Sequence, residues 1–568
     1  MLISHPGKSQ IFSSMKTIKY FATLSFLFVS VAQAQTLADA VSKTENERYE
    51  EASAAFKSIT EKDPKNGNNW YYFGENYFKR AALDNYTTSD VDSAMMMYQK
   101  GFDVNPTNPL PYIGMAKVHQ VKDSEKDANS NFYKVLALSD SKKPNPEHQL
   151  ELADAYLAVP KYRNPDEALK ILDGLMKSEG KNPELHILRG DALFFKNSGN
   201  AGEAVKSYEK AYELDKKSCR AILKQGRIYK MARNEKLGLE YYQKAIKVDS
   251  LFAPAYREIA ELYHQFGYDA KALENYKKYV QFNNSDGARK RLVEFMYLMK
   301  MYKEVIPMIL DLQSKGMKSC YLWRYLGPAY YEAGDKFEKD AYKKSYEALS
   351  QFFTCAGLNF KYFPQDYKYK GLSLSKAYKD SVPMLLMAIE ELKKAIEIDR
   401  DANCDLWGDI GTIYMKMNKY TETIEAYKNK SACPNGLKGQ DYYFLGRAYY
   451  FSADYKMADT TFALLIKAVP ANPLGCFWRA RASVMLDPKN EKWLAKPHYE
   501  CYYNAIKPED RTLPQNKAFM SETLDYLINE SISGIKDNVK GKDYLEQLKK
   551  VDPKYAKIPT FSKLLSGN

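Results

Sequence analysis

A chain of 568 residues is too long to share one compact core, so it is either several domains or an elongated array. With 45% hydrophobic and 27% charged residues it has an ordinary folded composition, which excludes a largely disordered chain; its 47 tyrosines are the unusual feature. The net charge of +13 comes from acidic and basic residues interspersed along the chain, a mixed surface that argues against a nucleic-acid footprint and leaves a mild preference for acidic partners.

The first thirty-four residues read as an address. Lys16 and Lys19 precede an apolar run from Tyr20 to Val31, and Ala32-Gln33-Ala34 supplies a small-residue cleavage site, so residues 1–34 are expected to be a signal peptide cut after Ala34, with Met15 as its natural start. The apolar run is short for a spanning helix, no cysteine follows the cut to carry a lipid, and no later stretch is apolar enough to cross a bilayer.

From Leu37 onward the apolar period is helical. Leu37–Asn46 and Arg48–Lys62 predict a first pair of helices, the second carrying Ala52, Phe56 and Ile59. Trp70, Phe73, Gly74 and Tyr77 share one face of the next helix, and Ala94, Tyr98 and Gly101 one face of its partner, after an insertion at Asp84–Asp92. Tyr112, Met115 and Ala116 then lead to Ala128 and Phe132, and Leu152, Ala153 and Tyr156 to Ala168 and Leu172. Gly190 pairs with Ala204 and Tyr208, Gly226 with Gly238 and Tyr242, and Ala260 with Ala272 and Tyr276. Leu292–Leu312 keeps the period but has neither small residue in the usual place. Later pairs centre on Trp323, Leu326, Gly327 and Tyr330, on Gly371 with Ala388 and Leu392, and on Trp407, Gly411, Tyr414 and Tyr427.

The clearest copy runs from Tyr442 to Pro470. Tyr442, Leu445, Gly446 and Tyr449 recur three or four apart, as do Ala458, Phe462 and Leu465, and Pro470 ends the second helix. Gly446 and Ala458 let two helices approach, while Tyr449 and Phe462 fill the space beside that contact. Beyond Pro470 the pattern weakens, with Trp478–Met485 and Tyr499–Ile506 as one pair and Lys517–Ile532 with Asp543–Val551 as the last. Asp84–Asp92, Gln351–Tyr369 and Ser375–Val382 depart from the pattern.

Recurring about every thirty-four residues, these hairpins resemble the tetratricopeptide repeat, and the resemblance spans Gln35 to Pro553. It implies an all-α chain, a right-handed α-solenoid of about a dozen hairpins. Residues 35–317 form the N-terminal part of the array, 318–553 its C-terminal continuation and 554–568 a tail. It also implies a concave groove, lined by the first helix of each pair, that holds proteins or extended peptides. Sites one, five and eight beyond the residue aligned with Trp323 face that groove, and they include Arg227, Lys230, Arg257, Glu261, Arg324, Tyr331, Tyr443, Arg447 and Tyr450. Arginine beside tyrosine suits an acidic extended peptide, the guanidinium taking carboxylates and the rings stacking. The alternative, standing level with it, is an inner wall of local ion pairs. The Lys-Asn clamp by which some relatives hold a terminal carboxylate is not matched.

No catalytic, cofactor or metal site is expected. The six histidines are scattered, Asn435–Gly439 lacks the length and Lys-Ser/Thr end of a phosphate loop, and no nucleophile elbow or HExxH helix occurs. The aromatic run from Phe352 to Tyr369 reads as a segment packed on its own array, with a docking knob as the alternative. Among the seven cysteines, Cys320 and Cys404 open hairpins whose second helices end near Cys355 and Cys433, and Cys476 lies opposite Cys501, leaving Cys219 alone. Three hairpin-closing disulfides and seven buried thiols are the alternatives; they balance for Cys404 with Cys433, and the reach a disulfide needs favours thiols for the other two pairs. The expected role is a non-catalytic interaction scaffold, periplasmic or secreted, in a bacterial envelope, accessory to envelope assembly or to energised outer-membrane transport. A capture module for peptide or polysaccharide is the alternative, and an enzyme assembled in the groove the remotest.

Overall fold

The structure, a computed structural model, describes residues 36–83, 86, 89–139, 143–317, 319–356 and 360–566. The leader expected over 1–34 lies outside the described residues, as do 84, 85, 87 and 88 of the insertion expected over Asp84–Asp92. Every regular element among the described residues is a helix, and none is long and apolar enough to cross a membrane.

The helices run as antiparallel pairs. The first pairs are α1 (Leu37–Glu45) with α2 (Tyr49–Lys62), α3 (Gly67–Ala82) with α4 (Ser89–Val104), α5 (Pro109–Val121) with α6 (Glu125–Leu138), and α7 (Pro146–Ala158) with α8 (Pro165–Glu179). They continue as α9 (Pro183–Lys196) with α10 (Ala201–Leu214), α11 (Cys219–Met231) with α12 (Glu235–Val248), and α13 (Ala253–Gln265) with α14 (Asp269–Phe282), followed by α15 (Asp286–Leu298) and α16 (Tyr302–Ser314). Next come α17 (Cys320–Ala333) with α18 (Ala341–Ala356), α19 (Pro364–Ala377) with α20 (Val382–Ile398), and the single turn α21 (Arg400–Asn403). The chain closes with α22 (Leu406–Lys416) and α23 (Tyr420–Ser431), α24 (Gly439–Phe451) and α25 (Tyr455–Ala468), α26 (Leu474–Leu486) and α27 (Lys496–Ala505), α28 (Pro514–Asn529) and α29 (Asn538–Val551), and α30 (Ile558–Ser566). Packing divides the chain into two units between Leu292 and Val293, inside α15, and each unit is an α-solenoid of stacked hairpins. That division falls earlier than the 317/318 boundary expected from the sequence, in the stretch where the small contact residues are missing.

Helix starts follow from a repeated local signal. Asn108, Asn145, Asn164 and Asn182 each precede a proline, and each side chain accepts a backbone N–H of the turn it opens. Asparagine satisfies an orphan donor there, and proline, which has no N–H, fits the first helical position.

In the hairpins that open with α3, α9, α11, α17, α19, α22 and α24, a glycine on the first helix faces a bulky side chain on the second. A Cβ at Gly446 would stand 2.6 Å from Phe462 Cε1, and one at Gly74 or Gly190 would meet Tyr98 or Tyr208 still closer. Phe462, Ala458 and Leu465 are fully buried around this contact. Gly446→Ala should therefore destabilise the fold by about 1–3 kcal/mol through overpacking, read as a lower urea midpoint. An unchanged midpoint would mean that the Phe462 ring swings aside freely.

Within the N-terminal unit the first hairpin meets the sixth and seventh. Asn46 Nδ2 donates to Asp249 at 3.0 Å, and Glu47 accepts from Arg257 Nη2 and the Tyr279 hydroxyl, each at 2.8 Å. Glu45 adds a 2.8 Å pair with Arg220 on α11. In the other unit α30, within the expected tail, buries Phe561 and Leu565, the latter beside Gly541 on α29.

Candidate partner-binding face

The tyrosine beneath the hairpin glycine positions more than packing. In α3 and α9 the residue after that glycine is acidic, and the tyrosine from the paired second helix reaches it: Tyr98 donates to Glu75 at 2.7 Å and Tyr208 to Asp191 at 2.8 Å. A lysine from the next first helix completes each group, with Lys117 Nζ 2.6 Å from Glu75 and Lys224 Nζ 2.7 Å from Asp191. First helices are thus linked repeat to repeat by buried charge pairs.

The groove candidates of the N-terminal unit belong to this ladder. Arg227 Nε lies 2.8 Å from Glu258, Lys230 reaches Glu258 at 2.5 Å and Glu261 at 2.8 Å, and Arg257 pairs with Glu47, Glu258 and Glu261. Burial pushes the Glu258 carboxyl up, but Arg227, Arg257 and Lys230 together outweigh it and hold the group far below the usual carboxylate range.

In the C-terminal unit Arg324 is buried and donates to both oxygens of Asp366 and, at 3.0 Å, to the Lys361 carbonyl. Phe352, Phe360 and Phe363 surround its guanidinium, so much of the aromatic run packs on its own array around a buried cation. Tyr331 is half-buried between Tyr342 and Tyr369, with Lys376 Nζ 4.3 Å from its ring centre.

Arg447 on α24 is arranged differently. Its guanidinium lies 5.2 Å from the Trp478 ring centre, 5.3 Å from that of Tyr443 and 5.6 Å from that of Phe451. Its one hydrogen bond is a 3.5 Å contact to the Tyr443 hydroxyl, its Nε has no acceptor, and it forms no ion pair among the described residues. Tyr450 packs edge-on against Trp478 at 5.4 Å, and Phe451 is exposed beside them. Below Trp478 lies Arg481, 5.1 Å from the ring centre and paired with Glu522. Tyr443, Arg447 and Tyr450 thus form one half-exposed patch.

The sequence pattern did not single out Trp478 or Arg481. Counting from Trp478 as the start of its hairpin sets the register one residue late. Phe477 is the fourth residue of α26, as Tyr442 is of α24, and this alignment makes Trp478 the equivalent of the groove site Tyr443.

The structure joins Cys320 to Cys355, Cys404 to Cys433 and Cys476 to Cys501, with Cα separations of 5.6, 5.8 and 5.8 Å. All three bonds lie in the C-terminal unit. Cys219, in the other unit, is a buried thiol that burial pushes up to about 12.

The family model of the tetratricopeptide repeat matches residues 184–218, which cover α9 and α10. No curated protein sequence matches the chain. Among solved structures, the chain is similar to the C-terminal part of a TPR repeat-containing protein from Cytophaga hutchinsonii, at 24% identity over 48% of this chain and 98% of that one, with a TM-score of 0.40. It is also similar to MamA, at 19% identity over 36% of this chain and 94% of that one, with a TM-score of 0.22. A third is YrrB, described as a TPR protein with an unusual peptide-binding site, at 21% identity over 36% of this chain and 96% of that one, with a TM-score of 0.21. None of these likenesses bears on what this chain binds.

Proposed function

We propose that this tetratricopeptide-repeat chain is a protein-binding scaffold that takes an acidic, extended segment of a partner on α24, around Arg447, and works by holding rather than by chemistry. One observation carries the reading: Arg447 is aligned by three aromatic rings and has no carboxylate partner among the described residues, whereas Arg227, Arg257 and Arg324 are each answered from within the chain. A partner carboxylate would complete the arginine, and Tyr443 and Tyr450 would stack on its neighbours. The leader-like start of the sequence and the three hairpin disulfides support an oxidising location, the periplasm or the cell exterior, and with it a place in the envelope.

A photo-crosslinking residue in place of Tyr450, activated in intact cells, should give protein adducts identifiable by mass spectrometry. Adding Arg447→Glu should reduce them at least tenfold. Adducts of equal yield in that variant would remove Arg447 from the interface and with it this reading of the face.

A further inference from the structure

The first hairpin, with α3, α7, α9 and α11, lines a cavity of about 620 Å3 inside the N-terminal unit. Part of the lining is apolar, from Leu37, Val41, Phe56, Leu150 and Leu188. Another part is acidic: Glu75, Glu151 and Asp154 offer carboxylate oxygens that all lie within 4.8 Å of one another. Of the remaining charges of the wall, Glu45 is met by Lys79 and Arg220 and Glu184 by Arg220, while Glu147 accepts from the Tyr72 hydroxyl at 2.8 Å.

The acidic cluster is short of donors. Glu75 gives Oε1 to Lys117 and Tyr98, yet its Oε2 is buried with no partner, on a side chain only 5% exposed. Glu151 accepts from the Tyr71 and Tyr72 hydroxyls, at 2.7 and 3.2 Å, and forms no ion pair among the described residues. Asp154 has one ion pair among the described residues, with Lys117 at the long distance of 4.0 Å, and Lys79 and Arg220 act on it from further off. Burial, then the Glu75 and Asp154 carboxylates, push Glu151 up to about 7. A buried acceptor without a donor, beside crowded carboxyls, is an arrangement that a positively charged donor would relieve.

We propose that this cavity binds an alkylammonium group, its three N–H donors taken by Glu75 Oε2, Glu151 and Asp154 and its carbon chain lying against Leu37, Val41, Phe56 and Leu150. The group could belong to a small free amine or to a lysine side chain of a peptide. A divalent cation matches the lining less well: the Lys117 ammonium already sits 2.6 Å from Glu75, and the ion would leave the apolar wall empty. The proposal is independent of the Arg447 face.

The test is calorimetric titration of the full chain with n-hexylammonium chloride, with hexanol as the uncharged match, a pentapeptide of glycines around one lysine as the second source, and calcium chloride as the metal control. Saturable binding of hexylammonium without binding of hexanol is expected, weakened at least tenfold by Asp154→Asn and by Glu151→Gln. Both variants keep the Glu75–Lys117 pair, and circular dichroism checks their folding. Equally sensitive binding of the lysine peptide would assign the site to peptide side chains, and binding of the free amine alone to small amines. Equal affinity for hexanol, full affinity in folded variants, or binding of calcium alone would each overturn the proposal.

Discussion

Replacing Glu258 by alanine should destabilise the N-terminal unit by about 3–5 kcal/mol, because it strands three cations around one buried carboxylate. Arg257 is 7% exposed, so its guanidinium has little water to turn to. The rest of its answer is Glu47 from the first hairpin and a weaker contact to Glu261. The effect also has a pH signature. The folded carboxyl is held below its ordinary value of 4.5, so its stabilisation is fully present above about pH 4.5 and is lost as the pH falls toward the folded value. Wild type should therefore lose its advantage over Glu258→Ala on acidification. Urea unfolding followed by hydrogen exchange of the α11–α14 amides at pH 7 and at pH 4 measures both. A loss below about 1 kcal/mol at neutral pH would mean that the cations relax into solvent and that the ladder is ornamental to stability.

Breaking the disulfides should act on the other unit. Each closes a loop between residues 25 to 35 apart in sequence, for which loop-closure entropy gives about 3.5 kcal/mol of stabilisation per bond. Trp323, Trp407, Trp478 and Trp493 all lie in the C-terminal unit, so tryptophan fluorescence reports mainly on it. Reductant should lower the fluorescence-monitored urea midpoint of the wild type and leave unchanged that of a variant with all six cysteines replaced by serine. Seven free thiols on unreduced protein, or a midpoint indifferent to reductant, would contradict the pairing.

The repeat was legible because its cause is local. Gly446 and Phe462 sit sixteen residues apart, in neighbouring helices of one hairpin, and the small-against-large pairing that joins them recurs at Gly74 with Tyr98 and Gly190 with Tyr208. The cysteines were legible in position for the same reason, although the sequence alone favoured thiols for two of the three pairs that the fold brings within bonding reach. The state of the groove residues was not legible. Arg257 looks available until Glu47, 210 residues earlier, is brought against it by the winding of the unit, and Arg324 until Asp366 arrives from the next hairpin. Of the two readings of the inner wall, ion pairs describe Arg227, Lys230, Arg257 and Arg324, while Arg447, beside Tyr443, forms no ion pair among the described residues. The ion pairs hold a different form from the local one expected, since most run between repeats rather than along one helix. The cavity carboxylates were missed because Glu75, Glu151 and Asp154 come from α3 and α7, two hairpins apart, and no spacing within one repeat relates them.

The central claim is that Arg447 serves a partner while the other candidate arginines serve the fold. Charge reversal at Arg447 and at Arg324, each measured for thermal midpoint and for partner recovery by crosslinking, tests it most directly. Arg447→Glu should leave the midpoint within about 2 °C of wild type, since no ion pair is lost, and should cut recovery at least tenfold; Arg324→Glu should lower the midpoint sharply, because it sets two buried carboxylates against each other. Undiminished recovery with Arg447→Glu, or a midpoint lowered as far as by Arg324→Glu, would contradict the account.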